Sequence, residues 1–189
     1  MRLFLAINLT PEVRREVAAA TAVLRECAPA PDAAWVGEPL LHLTLKFLGE
    51  QPEERLDELQ AAVAAVAGRH RELVMTLGGI GAFPNFRRAR IVWLGVAQEP
   101  RLELLHHDIE MAYEKLGFDV EGRPFRPHLT LARIKHPLAE ERARQLAHIA
   151  KRTDYRTDFV VRSIDLMNSD LTAAGPTYTT LVSAALRSG

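Results

Sequence analysis

"LLHLTLKFLGE" (Leu40–Glu50) and "FRPHLTLARIK" (Phe125–Lys135) share the tetrapeptide His-Leu-Thr-Leu, once near the first quarter of the chain and once past its middle. Chance repeats some tetrapeptide in roughly one chain in five of this length, so the weight falls on which residues repeat. On a β-strand, side chains alternate between faces. His42 and Thr44 then share one face and Leu43 and Leu45 the other, and His128 and Thr130 oppose Leu129 and Leu131 in the same way. Each segment buries leucines and presents an imidazole with a hydroxyl. If the two strands border one groove, two imidazoles and two hydroxyls converge on it.

Outward from these segments, the chain alternates strands and helices. "RLFLAIN" reads as a first strand. Thr10 and Pro11 open a helix as N-cap and first helical residue. "AAWV" and "LHLTLKFL" are strands, and the helix after them places Leu56, Leu59, Val63 and Val66 on one face. "ELVMTLGGIGAF" and "ARIVWLGV" are strands around the turn "PNFRR". A third helix turns Leu102, Leu105 and Ile109 inward and stops at Gly117. The second motif strand, a fourth helix near "LAEERARQLAHIA", and two closing strands, "DFVVRSIDLMNS" and "TYTTLVSAAL", complete the chain. Adjacent strands and short loops favour an α+β fold with antiparallel pairing over a parallel doubly wound sheet. No linker cuts the chain, so residues 1–189 are expected to form one domain, with motif strands near residues 40–48 and 127–134.

Composition narrows the function. Lys and Arg number 24, and Asp and Glu also 24. That balance argues against broad, charge-driven nucleic-acid binding but leaves room for a local basic pocket. A single cysteine, Cys27, precludes an internal disulfide and fits a reduced, cytoplasmic setting. No apolar run approaches the roughly 18 residues of a membrane span.

The paired His/Thr strands suit displacement at phosphorus. One neutral imidazole serves as base, one protonated imidazole as acid, and threonine hydroxyls hold phosphate oxygens without a metal or other cofactor. Seven histidines raise the alternative of a metallohydrolase, yet there is no HExxH, paired-cysteine or carboxylate-rich ligand motif. GxSxG and P-loop signatures are also missing, and "GGIG" is not followed by a helix.

With both motifs, the flanks "RLFLAIN", "WV", "GAFPNFRRARIVWLGV" and "GPTYTTL", and a spacing of 86 residues between the histidines, the chain resembles the 2H phosphoesterases. Within them it resembles the RNA 2′,3′-cyclic phosphodiesterases, also called 2′-5′ RNA ligase-like proteins. The resemblance implies a bilobal fold of two antiparallel-sheet lobes, helices outside, related by a pseudo-twofold axis across a central cleft. It implies hydrolysis of an RNA terminal 2′,3′-cyclic phosphate to a 2′-phosphate, with ligation as the reverse reaction. Carried over, His42 is the proton donor and His128 the proton acceptor, roles that strand symmetry alone leaves open. Thr44, Thr130 and Arg133 would bind the phosphate, although strict alternation puts Arg133 on the leucine face unless a bulge intervenes.

Around this centre, Lys46 shares the motif face by alternation, and Arg126 is a further cation. Arg87, Arg88 and Arg90 could steer RNA or simply sit in a solvated loop. Trp35, Phe47, Phe83 and Trp93 could stack on bases, though most are expected in the core. Of adjacent His106 and His107, at least one should face solvent, and His70, His136 and His148 have no evident partners. The expected partner is RNA ending in a cyclic phosphate, bound by a monomer with no membrane attachment. The rival readings are a non-catalytic RNA- or nucleotide-binding module and a related enzyme acting on another small cyclic phosphate.

Overall fold

Both His-Leu-Thr-Leu segments begin strands. The computed structural model describes residues 1–173 and 175–189. Its strands are β1 (Arg2–Asn8), β2 (Ala33–Trp35), β3 (His42–Glu50), β4 (Leu73–Phe83), β5 (Ile91–Val96), β6 (His128–Ile134), β7 (Arg156–Val161), β8 (Ser163–Thr172) and β9 (Gly175–Ala185). The helices are α1 (Pro11–Thr21), α2 (Leu56–Ala67), α3 (Pro100–Glu114) and α4 (Glu140–Arg152). Thr10 caps α1 by accepting a hydrogen bond from the Val13 amide, with Pro11 at the first helical position. Beyond α3, Gly117 adopts φ 87°, a conformation that reverses the chain and that glycine adopts without a Cβ penalty.

All nine strands join one sheet in the order β7-β4-β5-β6-β3-β1-β8-β9, with β2 paired to β6, and every pairing is antiparallel. The motif strands β3 and β6 lie side by side at its centre, and their register pairs Leu43 with Leu129. "DFVVRSIDLMNS", expected as one strand, is two. Arg162 separates β7, which pairs with β4, from β8, which pairs with β1. Because a single residue connects strands so far apart in the sheet order, the sheet must curl until those regions approach. The Leu186 amide donates to the Arg162 carbonyl, and the Arg187 carbonyl accepts from the Glu72 amide, stitching that approach. Bulges supply the local twist a curled sheet needs.

The leucine face is covered by helices. Leu3, Leu5 and Ile7 of β1, Leu43 and Leu45 of β3, and Leu129 and Leu131 of β6 pack with Leu59, Val63, Leu105, Ile109 and Leu146 in one core. Burying each such side chain contributes about 1.5–3 kcal/mol, which fixes strand register, since a one-residue slip would expose the leucines.

Candidate active site

With Leu43 opposite Leu129 in an antiparallel pair, His42 falls across from Thr130, and Thr44 across from His128. The two His/Thr pairs therefore form a diagonal square on the uncovered face. Each imidazole is oriented alike: Nδ1 of His42 lies 2.7 Å from the Leu40 carbonyl, and Nδ1 of His128 lies 2.7 Å from the Arg126 carbonyl. A carbonyl only accepts, so both Nδ1 atoms carry hydrogen and both Nε2 atoms remain for chemistry. His42 Nε2 is 3.0 Å from Thr44 Oγ1.

The strands share a further detail. Their first six residues have the same burial sequence, partly buried, buried, partly buried, buried, buried, exposed. In each, a bulge interrupts pairing with the outer neighbour, at Leu45–Lys46 against β1 and at Leu131–Ala132 against β5. Two consecutive residues thus face the core, and the next residue returns to the motif face. Arg133 is such a residue. It pairs with Ile91, itself paired with Phe83, whose ring lies 5.1 Å from that of His128. The bulge that Arg133 requires is present. Phe47 is its counterpart in β3 and is 65% exposed.

The β3 bulge corrects the reading of Lys46. Expected on the motif face, it is buried on the opposite one, where Nζ donates to Glu110 Oε2 at 2.8 Å and to the Asp119 carbonyl at 2.8 Å. Glu110 Oε2 also accepts from the Glu121 amide, and His106 stacks on Phe125 with ring centroids 3.8 Å apart. His106 is buried and His107 exposed. His70, for which no partner was evident, approaches Asp108 Oδ2 at 2.8 Å. His136, His148, Arg126, Arg87, Arg88 and Arg90 are exposed.

Aromatic rings flank both imidazoles. Phe4 and Tyr178 lie 5.1 and 5.3 Å from His42, and Phe83 and Trp93 lie 5.1 and 6.4 Å from His128. Three of the four candidate stacking residues therefore occupy the motif face. Trp35 instead packs at the core edge, its Nε1 donating to the Ala28 carbonyl. The Trp93 indole lies across Gly81, where a Cβ would come within 2.1 Å of its ring.

Sequence reasoning missed Phe4, Tyr178, Asn8, Asp165 and Arg14. Asn8 is in register with His42, and alternation from buried Leu3, Leu5 and Ile7 places Phe4 and Asn8 on the motif face. Asp165 interrupts the apolar run "SIDLM" and is buried, accepting hydrogen bonds from Asn8, Ser163 and Ser183. Burial pushes the His42 pKa below its ordinary value. The Leu40 carbonyl partly offsets this, while the Arg14 and Arg133 charges add to it. Among the described residues, no group of three His, Cys, Asp or Glu side chains is placed to hold a metal ion. A concavity of about 600 Å³ beside α4 is lined by Cys27, His148 and neighbours and contains no motif residue.

This arrangement has relatives. The family model described as the 2′-5′ RNA ligase superfamily matches residues 9–173. An RNA 2′,3′-cyclic phosphodiesterase of Methanothermobacter thermautotrophicus is 31% identical over 95% of each chain. One of Archaeoglobus fulgidus is 32% identical over 94% of this chain and 96% of its own. A crystal structure of a Thermus thermophilus protein superposes with a TM-score of 0.77 at 31% identity, covering 100% of this chain and 99% of that one. The Escherichia coli LigT structure complexed with 3′-AMP gives 0.72 at 29% identity, covering 98% and 97%. With two His-Leu-Thr-Leu strands paired at the centre of that same fold, this chain belongs to the 2′-5′ RNA ligase superfamily.

Proposed function

We propose that the protein hydrolyses the 2′,3′-cyclic phosphate at RNA 3′ ends to a 2′-phosphate by metal-independent, two-histidine catalysis. The observation that carries this reading is the central square, with two imidazoles each tied through Nδ1 to a backbone carbonyl, His42 Nε2 beside the Thr44 hydroxyl, and each imidazole across the strand pair from a threonine. The phosphodiesterase names of relatives matching nearly the full chain support the substrate class. The 3′-AMP bound by the Escherichia coli protein supports a nucleotide in this cleft.

In the proposed reaction, His128 Nε2 takes a proton from water as the water oxygen attacks phosphorus. The bond from phosphorus to O3′ breaks, and His42 Nε2–H passes its proton to O3′. The products are a 2′-phosphate and a free 3′-hydroxyl. Thr44, Thr130 and Arg133 hold the non-bridging oxygens, Arg133 through paired donors. Burial lowers the proton affinity of His42 in the free protein. The anionic substrate restores its proton affinity, so protonation accompanies binding. A terminal 5′-hydroxyl in place of water would give a 2′-5′ linkage, reversibly. We further read the two four-strand halves of the sheet that meet at the central pair, β7-β4-β5-β6 and β3-β1-β8-β9, as pseudo-twofold lobes of one domain, and the protein as a cytoplasmic monomer.

The test uses EDTA-treated protein and a short RNA ending in a 2′,3′-cyclic phosphate, with 2′- and 3′-phosphate products resolved chromatographically. His42→Ala and His128→Ala should each lose at least about 10²–10⁴-fold in rate at unchanged thermal midpoint. Turnover that vanishes in chelator and returns with zinc would overturn the two-histidine mechanism. A folded wild type without turnover would redirect the assignment to another small cyclic phosphate or to binding alone.

A further inference from the structure

Arg14 projects from the first turn of α1 and is partly buried. Its Nη2 donates to Asn8 Oδ1 at 3.3 Å, while Asn8 Nδ2 donates to Asp165 Oδ2 at 2.7 Å. The other oxygen of Asp165 accepts from Ser163 at 3.2 Å and Ser183 at 2.5 Å. Both oxygens of Asp165 are therefore engaged, and the carboxylate is one amide removed from the guanidinium. Asn8 orients Arg14 through a neutral acceptor and leaves its charge uncancelled. Among the described residues, Arg14 forms no ion pair, and its Nε is buried without a hydrogen-bond partner.

A partly buried guanidinium with an orphaned donor and no counter-ion is costly in isolation. Here it is braced by a chain of hydrogen bonds spanning β1, β8 and β9, and Asn8 lies directly across from His42. That position makes sense if an anion arrives beside it. We propose that Arg14 is a second anion ligand of the cleft, which engages a phosphate oxygen on the His42 side, with Asn8 and Asp165 as its positioning residues. This rests on the phosphodiesterase reading for the identity of the anion. A cyclic phosphodiester carries one negative charge and its opened monoester approaches two, so a second guanidinium favours the opened state over the ring. The asymmetry is local. Gly95, the residue in register with His128, has no side chain with which to hold a comparable cation.

The measurement is calorimetric binding of adenosine 2′-monophosphate, with adenosine as the uncharged control, to wild type, Arg14→Gln, Arg14→Lys and Asp165→Asn. Arg15→Gln removes the same charge from the exposed neighbour that pairs with Glu12. Arg14→Gln should weaken the monophosphate by about tenfold or more, the scale of one charge-assisted hydrogen bond, with adenosine binding and thermal midpoint unchanged. Arg14→Lys should recover part of the loss, Asp165→Asn should fall between, and Arg15→Gln should match wild type. Equal monophosphate affinity in Arg14→Gln and wild type, or equal losses for monophosphate and adenosine, would overturn the proposal. Turnover of cyclic-phosphate RNA by wild type, assayed in parallel, separates the two ideas. Turnover with unchanged Arg14→Gln affinity sinks only the Arg14 assignment, whereas absent turnover sinks the hydrolase reading and leaves anion binding to be judged on its own data.

Discussion

At the scale of single residues, His42 meets opposing demands. Burial and two nearby guanidinium charges lower its proton affinity in the free protein, while donation to O3′ needs its proton. A bound phosphate anion favours the imidazolium, so the proton affinity of His42 rises on binding. Two pH profiles should therefore separate. The basic limb of kcat/KM reports the free protein and that of kcat the complex, so the former should lie at lower pH than the latter. Coincident limbs would contradict the assignment of His42 as the acid. In Arg133→Gln, loss of a positive neighbour should move the kcat/KM limb upward even as the rate falls. Gly81 is a residue-scale constraint of another kind. Gly81→Ala drives a Cβ into the Trp93 ring, and the displaced indole should lower stability by about 1–3 kcal/mol, measurable by urea unfolding.

Among elements, the bulges govern which side chain reaches which face. In β3 the bulge sends Lys46 into the core beside Glu110, and this pair anchors the segment carrying Asp119 and Glu121 that leads to His128. Lys46→Met should destabilise by about 3–5 kcal/mol because it strands a buried carboxylate, and Lys46→Met with Glu110→Met should recover most of that. Denaturant unfolding of the single and double variants checks this. The motif strands were legible because alternation is a local property, readable from four residues. The requirement for a bulge before Arg133 was legible too, since alternation failed there. Nothing comparable marked Lys46, whose position fits unbroken alternation on the motif face, and only pairing with β1 places the bulge before it. Arg14, Asn8 and Asp165 come from an early helix, the first strand and a late strand, and no sequence window holds all three. The break at Arg162 was hidden because both of its flanks have strand composition and only the curl of the sheet separates them.

For the molecule as a whole, acid should weaken the fold. Burial lowers the pKa of His42 and also of His106. Below the ordinary histidine value near 6.5, the unfolded chain takes up protons that the folded chain resists. This part of the stability is complete above that pH and is lost as pH falls toward the folded values. The urea midpoint should drop between about pH 7 and pH 5, and His106→Gln should flatten the dependence. The sheet order has a different consequence. The stretch β7-β4-β5-β6 comes from the contiguous residues 73–161, whereas β3-β1-β8-β9 combines early and late parts of the chain. As the polypeptide leaves the ribosome, β1 can pair with β3, but its other edge stays open until residues 163–185 emerge. Such an edge is a template for aggregation, which makes the interval before those residues emerge the vulnerable one. Asp165 and Tyr178 arrive only then, so the histidine nearer the start of the chain is the second to have its surroundings completed.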